Sequence, residues 1–359
     1  MAEHTGEEAH GPRFALDRHL LRRRFERAAA SCDSVDVLAR EVARRMDERL
    51  DYIRISPRRV LDLGCGTGAD LPRLTERFPE ATVIAADFSA AMVAGAGARL
   101  RPARSGGLLR RLLSSAPAPL PHLVAQSDAL PLARASLGLV WSNLMLPALD
   151  DPLPTFREIH RTLEVDGLVM FSSFGPDTLR ELRAALPDRR GERVHRFIDM
   201  HDIGDALVQA GFTDPVMDME IVTLTYPDLD TLLQDLRRSG GANAATSRPR
   251  GLSGRQEWAE ARAAYERLRS DGRLPATFEI IQGHAWKAAP KTTEDGRSIV
   301  IEGDQVVAVG HPFGIGPSAS YGVVSGLRRE FRSEEGEKTL TNLIQFDAAA
   351  NPGTSGGPL

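Results

Sequence analysis

Hydrophobic and polar positions follow two regimes along the chain, and the change falls near residue 297. Between residues 14 and about 50, apolar residues recur every three or four positions (Leu20, Leu21, Phe25, then Val35, Leu38, Val42, Met46). This spacing predicts two helices with a break at 31–33. Pro57 resets the chain, and Arg59-Val60-Leu61-Asp62-Leu63 is a short apolar run of strand type that leads into Gly64-Cys65-Gly66-Thr67-Gly68. Helix and strand patterns then alternate: helical at 70–78, extended at 82–87, helical at 89–100. Extended runs follow at 122–126 and 137–142, a helix at 154–163 and a strand at 168–173. Such alternation predicts an α/β domain with a doubly wound, Rossmann-like parallel sheet.

Other segments punctuate this order. Residues 101–121 are rich in Arg, Ser and Pro, and 240–253 are loop-like. Amphipathic helical patterns with weak strand signals fill 175–275, and residues 280–286 read as a last strand. Beyond 297 glycine and proline become dense, β-branched residues alternate and helical signals vanish, which predicts an all-β piece. The expected organisation is an N-terminal helical segment (1–55), a Rossmann-like core (56–175), a helical lid with closing strands (176–287), a linker (288–305) and the β-rich piece (306–359).

Composition narrows the function classes. The 359 residues carry a formal net charge of −4, so the chain is no polycation built for nucleic acid or a membrane surface, and neither partner is expected. The cluster Arg22, Arg23, Arg24 and Arg27 reads as a solvated helix face. Cys32 and Cys65 lack metal-ligand spacing, so no metal site is expected and a reducing compartment fits. No apolar run reaches the roughly 18 residues of a membrane span. The acidic start MAEHTGEEAH is no signal peptide, and a cytoplasmic monomer is expected.

Candidate chemistry gathers where strand patterns end. Gly64, Gly66 and Gly68 follow the first strand as G-x-G-x-G, which lets backbone pass close to a ligand that a Cβ would strike. The spacing differs from the G-x-G-x-x-G of dinucleotide folds, and no P-loop lysine follows. Asp87 ends the second strand, 19 positions after Gly68, where an acid would accept both ribose hydroxyls. Asp128 follows the third strand and would read an adenine amino group, with the Ala129 N–H for a ring nitrogen. Asp62, just before the glycines, would hold an ammonium. In this order the residues resemble the S-adenosyl-L-methionine site of class I methyltransferases.

A narrower resemblance rests on residues 195–226 (HRFIDMHDIGDALVQAGFTDPVMDMEIVTLTY), on Asp177-Thr178-Leu179-Arg180-Glu181-Leu182, on Gly283-His284-Ala285-Trp286 and on Trp141-Ser142-Asn143-Leu144. From about 25 to 286 the chain resembles the malonyl-acyl-carrier-protein O-methyltransferases of biotin synthesis. It departs from them in three places. Cys32 stands before Asp33 where the family carries tyrosine, Val165-Asp166-Gly167 replaces a Pro-Gly-Gly turn, and Gly138 replaces an aspartate. The resemblance adds Asn143 to the cofactor set and implies methyl transfer to the free carboxylate of a malonyl thioester. That carboxylate is ionised at neutral pH and needs no general base. Alignment and exclusion of water would then carry the rate. Arg180 and Arg196 are candidates to grip the carboxylate by a guanidinium fork, and Arg189, Arg190 and Arg193 to form a basic face for an acidic acyl-carrier protein. Two alternatives stay open: an arginine hydroxylase of the related mitochondrial assembly-factor type, and a methyltransferase for another small carboxylate.

The strings VVAVGHPFGIGPSASYGVVSGL and NLIQFDAAANPGTSGGPL resemble the second barrel of HtrA-type, trypsin-like serine proteases, with Ser355 at the nucleophile position and Gly353 beside it. A triad needs histidine and aspartate as well. Those would come from a first barrel that the sequence lacks, so an incomplete, inactive fragment is expected.

Overall fold

The computed structural model describes residues 14–99, 121–186, 191–251, 254–289, 305–310, 318–332 and 339–346. The chain divides into one unit spanning Met1–Ala289 and another spanning Pro290–Leu359. The first holds a seven-stranded sheet in the order β3-β2-β1-β4-β5-β7-β6. Its strands are β1 (Arg59–Leu63), β2 (Thr82–Asp87), β3 (His122–Val124), β4 (Leu137–Ser142), β5 (Leu163–Phe174), β6 (Thr213–Tyr226) and β7 (Leu274–Trp286).

Strands β1 to β5 run parallel. Their side chains alternate between two cores, as the two-residue strand period requires. Leu61 and Leu63 point with Ile84, Val140 and Phe171 to one face, whereas Val60 points with Val83, Leu139 and Met170 to the other. Helices cover both faces: α1 (Arg18–Ala28), α2 (Val37–Arg49), α3 (Leu71–Arg77), α4 (Ala90–Arg99), α5 (Leu153–Thr162), α6 (Arg180–Ala185), α7 (Met200–Gln209), α8 (Leu229–Arg238) and α9 (Arg255–Glu266). The expected break between the first two helices is a 3-10 turn at Cys32–Ser34.

The sheet is not parallel throughout. Strand β7 runs antiparallel to both β5 and β6 and is inserted between them, in register with β6 from Tyr226↔Leu274 to Val216↔His284 and shifted by one before Thr213↔Trp286. It also starts at Leu274, well before the apolar run at 280–286. Its first half hides from pattern reading because it holds Pro275 and Glu279, yet both are accommodated. Pro275 accepts a hydrogen bond from the Tyr265 hydroxyl, and the Glu279 carboxylate receives the Asp177 N–H at 2.7 Å. At the sheet edge β6 carries alternating polar residues, and ion pairs Arg49–Asp218 (2.6 Å) and Arg45–Glu220 tie it to α2. Gly138 backs onto Pro57, with 2.8 Å between the Pro57 Cβ and where its own Cβ would lie, so a side chain has no room there.

The second unit holds a three-stranded antiparallel sheet, ordered β10-β9-β8, from β8 (Gln305–Gly310), β9 (Ser318–Arg332) and β10 (Thr339–Phe346). Gly353 and Ser355 lie outside the described residues, as do Arg189, Arg190, the loop at 101–120 and most of the expected linker. Among the described residues no helix is long and apolar enough to cross a membrane.

The three strands β5, β7 and β6 pack closely at Gly283. A Cβ there would lie 2.5 Å from Phe171 Cζ and 3.1 Å from Met217 Cγ. We expect Gly283→Ala to cost about 1–3 kcal/mol by overpacking. Urea unfolding checks this, and an unchanged midpoint would refute the packing account.

Candidate functional site

The carboxyl ends of β1, β2 and β4 face one cavity of about 290 Å³. Three glycines shape its floor in different ways. Gly64 (φ +78°) lets Met145 approach, since a Cβ would sit 2.5 Å from the Met145 Cβ and Cγ. Gly66 (φ +53°) looks into open space, with nothing within 4 Å of where a Cβ would be. Gly68 does not line the cavity. Its missing Cβ instead makes room for Leu71 Cδ1 at 2.7 Å and Ala96 at 3.0 Å, so α3 packs close to α4.

Three buried carboxylates surround this turn. Asp87 ends β2 and is held by two backbone donors, the Gly66 N–H to Oδ2 at 3.1 Å and the Ser89 N–H to Oδ1 at 2.8 Å. Burial nevertheless raises its pKa above the usual carboxylate range. Asp70 Oδ2 accepts from Trp141 Nε1 (3.0 Å) and Asn143 Nδ2 (3.1 Å), and burial raises its pKa too. Asp62 is 2% exposed, and its Oδ2 has no hydrogen-bond partner among the described residues. Burial first, then the charges of Asp70 and Asp87, pushes its pKa well up. An orphaned carboxylate oxygen among like charges calls for a cation.

Asn143 lines the same cavity with both ends of its amide engaged. Nδ2 also donates to the Ala39 carbonyl at 3.0 Å, and Oδ1 accepts from Ser172 Oγ at 2.9 Å. It thereby fastens α2 to the ends of β4 and β5. Cys32 is half-buried in the cavity wall, with Sγ 4.0 Å from Thr67 Oγ1. Thr67 donates to the Asp33 carboxylate, which Arg99 also pairs, so the 3-10 turn is pinned over the glycines without an aromatic ring. An adjoining cleft shares Gly64 and Asp87 with the first and contains Asp128, 3.6 Å from Arg18 Nη1. Ala129 lines neither cleft, and its N–H already donates to the Gln126 carbonyl at 3.2 Å. The tight turn after β3 consumes the donor expected to meet a ring nitrogen.

The opposite end of the cavity is aromatic. Phe174 stands 5.5 Å from Phe197 and 5.8 Å from Phe278 between ring centroids, with Tyr226 also in the wall. His195 lies 4.9 Å from Phe197, its Nε2 3.1 Å from the Pro147 carbonyl oxygen, and burial lowers its pKa so that the ring is neutral.

Neither expected arginine reaches this end. Arg180 is 56% exposed and pairs with Asp177 (3.8 Å) and Glu181 (3.6 Å), while Arg196 is 53% exposed and pairs with Glu192 at 2.8 Å. Arg193 is only 7% exposed and pairs with Glu257, so it belongs to no exposed basic face. Arginines close to acids of their own segment or of α9 are bound by them before any substrate arrives. Sequence reading passed over Asp70, although it is an acid within the glycine turn, and over His195 and Tyr226, which bound the run 195–226.

The description of a methyltransferase domain matches residues 37–214. A malonyl-[acyl-carrier protein] O-methyltransferase from Laribacter hongkongensis is 48% identical over 291 residues, covering 80% of this chain and 96% of that protein. The chain belongs to the malonyl-[acyl-carrier protein] O-methyltransferase family. A relative of the same name from Gallionella capsiferriformans is 47% identical, over 80% of this chain and 97% of its own. One from Coxiella burnetii is 36% identical, over 82% and 97%. Among solved structures the YcgJ protein of Bacillus subtilis aligns with 70% of this chain and 99% of its own, at 13% identity and a TM-score of 0.47. This member of the O-methyltransferase family is an S-adenosylmethionine-dependent enzyme. The cavity suits that cofactor, which brings an ammonium and a sulfonium to a floor of buried carboxylates. The description of a trypsin-like peptidase domain matches residues 251–359. Its first part overlaps α9 and β7, which belong to the first unit.

The Asp62 carboxylate gives this family member a pH signature. Its folded pKa is raised, so the folded state binds the proton more tightly than the unfolded one, and stability falls as pH rises above the ordinary 3.8. Asp62→Asn is expected to stabilise the ligand-free protein at neutral pH by on the order of 1 kcal/mol, and to weaken cofactor binding. The stability difference should vanish as pH falls towards about 4. Paired thermal melts across pH, with calorimetry of cofactor binding, check both signs.

Proposed function

We propose that this chain methylates the free carboxylate of a malonyl thioester carried on acyl-carrier protein, as a step of biotin synthesis. The observation that carries the reading is near-full-length similarity to relatives of that name, 48% identical over 96% of the first. The same relatives do not favour the arginine hydroxylase reading. S-adenosylmethionine, when bound, supplies an electrophilic methyl on a sulfonium.

The chain's own residues bind, orient and exclude water. Asp87, fixed by the Gly66 and Ser89 N–H groups, accepts the ribose hydroxyls. The free oxygen of Asp62 takes the ammonium, Asp128 faces the adenine, and Asn143 ties α2 to the ends of β4 and β5 in the cavity wall. At the acceptor end no proton has to move, since a carboxylate is already the nucleophile. With the cofactor bound, the methyl would pass from sulfur to the carboxylate oxygen, and the electron pair of the broken S–C bond would stay on sulfur. One positive and one negative charge disappear together, so a dry aromatic wall favours the transition state over the charged reactants.

An assay with malonyl-acyl-carrier protein and methyl-labelled cofactor is expected to give a base-labile methyl ester. A folded protein that binds cofactor yet forms no ester would overturn the substrate. Asp87→Ala should weaken cofactor binding by about 1.5–3 kcal/mol, the usual worth of hydrogen bonds to a charged group.

For the second unit we propose no proteolysis. A serine at 355 needs histidine and aspartate partners from a first barrel, and the described part of this unit is a three-stranded sheet. Deleting 291–359 should leave the methylation rate unchanged. Loss of methyl transfer on deletion, or Ser355-dependent casein cleavage by the full chain, would refute this.

A further inference from the structure

The acceptor end poses a problem that the proposed function, on which this inference rests, leaves open. A carboxylate must be held next to a cofactor whose own site is strongly acidic. Six aspartates line the cavity: Asp33, Asp36, Asp62, Asp70, Asp87 and Asp235. Among the described lining residues the only arginine or lysine is Arg40. Its guanidinium pairs with the Asp36 carboxylate and donates to the Asp33 carbonyl at 2.6 Å. The aromatic end therefore offers no free cation, and His195 there is neutral.

Two polar side chains near one another in the cavity wall, Tyr226 and Asp235, have no side-chain hydrogen bond among the described residues, and of the two only the phenol is a donor. Tyr226, the last residue of β6, is half-buried in the cavity wall opposite Leu274 of β7, and its hydroxyl makes no hydrogen bond among the described residues. The contrast with Tyr265 is direct, because that hydroxyl is spent on the Pro275 carbonyl at 2.7 Å. We propose that the Tyr226 hydroxyl donates to the acceptor carboxylate and is the specificity-determining contact that separates the charged substrate from its neutral ester product.

Three physical points favour a phenol here. An O–H donor to a carboxylate makes a short, charge-assisted bond without bringing a positive charge near the sulfonium. Burial and the nearby Asp235 carboxylate push the phenol up to about 12, so the proton stays on oxygen throughout the working range. The nucleophile also loses its charge as the ester forms. A guanidinium fork would stabilise the anion most in the ground state and raise the barrier, whereas one neutral bond to the non-attacking oxygen orients it at a smaller cost.

The test is equilibrium binding of malonyl-acyl-carrier protein and of its methyl ester, each to full-length protein saturated with S-adenosylhomocysteine. Wild type should prefer the malonyl form. Tyr226→Phe, which removes one oxygen and breaks no internal hydrogen bond, should weaken the malonyl form about 10- to 100-fold and the ester by less than about 3-fold. S-adenosylhomocysteine affinity should stay unchanged, and kcat/KM for malonyl-acyl-carrier protein should fall about in step with malonyl binding. Equal weakening of both forms would make Tyr226 a cavity wall and nothing more, and no weakening would also overturn the proposal. Turnover by wild type keeps the two readings apart. If wild type forms no ester, the substrate itself is wrong and the proposal falls with it, whereas ester formation with unaltered discrimination in Tyr226→Phe sinks the tyrosine alone.

Discussion

A carboxylate buried without a partner is among the costliest things a fold can contain, and this sheet is built around one. Asp62 must lie at the end of β1 because that strand sits in the middle of the sheet, between β2 and β4, where the glycine turn begins. The same strand sends Val60 and Asp62 to one face, so the acid inherits a burial meant for hydrophobic neighbours. Asp70 and Asp87 then crowd it from the turn and from β2. Each of those two has donors of its own, from Trp141 and Asn143 or from the backbone, which leaves Asp62 as the member that a ligand must satisfy. On the proposed reading, stability given up in the ligand-free protein would become affinity for the cofactor's ammonium.

The rest of the first unit keeps that arrangement rigid. Asn143 and Ser172 tie α2 to the ends of β4 and β5, while Arg183 reaches the carbonyls of Pro176, Thr178 and His195 and holds the two segments that frame the aromatic end. Glu279 and Glu181, acids on β7 and α6, secure the intervening loop through the Asp177 and Thr277 N–H groups. Both are long-range contacts, made possible because β7 runs back between β5 and β6. The antiparallel insertion thus sets the acceptor end in place, as the glycine turn does the cofactor end.

How legible each end was in the sequence follows from how local its physics is. The cofactor end is written in contiguous residues: a strand, three glycines with positive φ, and an acid at the end of the next strand. The acceptor end is assembled from β5, β6, β7 and the segment before α7, far apart in sequence, and its composition is apolar. Nothing marks Phe174, Phe197 or Phe278 as more than core until the strands are placed. Charge, conversely, drew attention to arginines that their own neighbours occupy. Arg180 and Arg196 lie three or four residues from, or next to, the acids that hold them, although Glu192–Arg196 lies in a non-helical segment and Asp177 precedes α6. The Ala129 N–H was misjudged because a turn after a strand of three residues closes on itself.

The two ends together suit a reaction that consumes charge. On the proposed reading, buried acids at one end would face the ammonium and the sulfonium, and aromatic rings at the other would strip water from an anion; the sulfonium charge and the anion are lost once the methyl has moved, while the ammonium stays. A fully charged grip at the acceptor end would work against this, tightening the reactant and slowing the step it prepares. The absence of a free arginine or lysine among the described lining residues is therefore consistent with the chemistry rather than a gap in it. The same logic gives product release a driving force, because the ester no longer offers an anion and the thioether no longer offers a sulfonium to the carboxylates beneath it. Turnover and release would then draw on one feature, the mismatch between a polarised cavity and the uncharged thioether sulfur and ester that it produces.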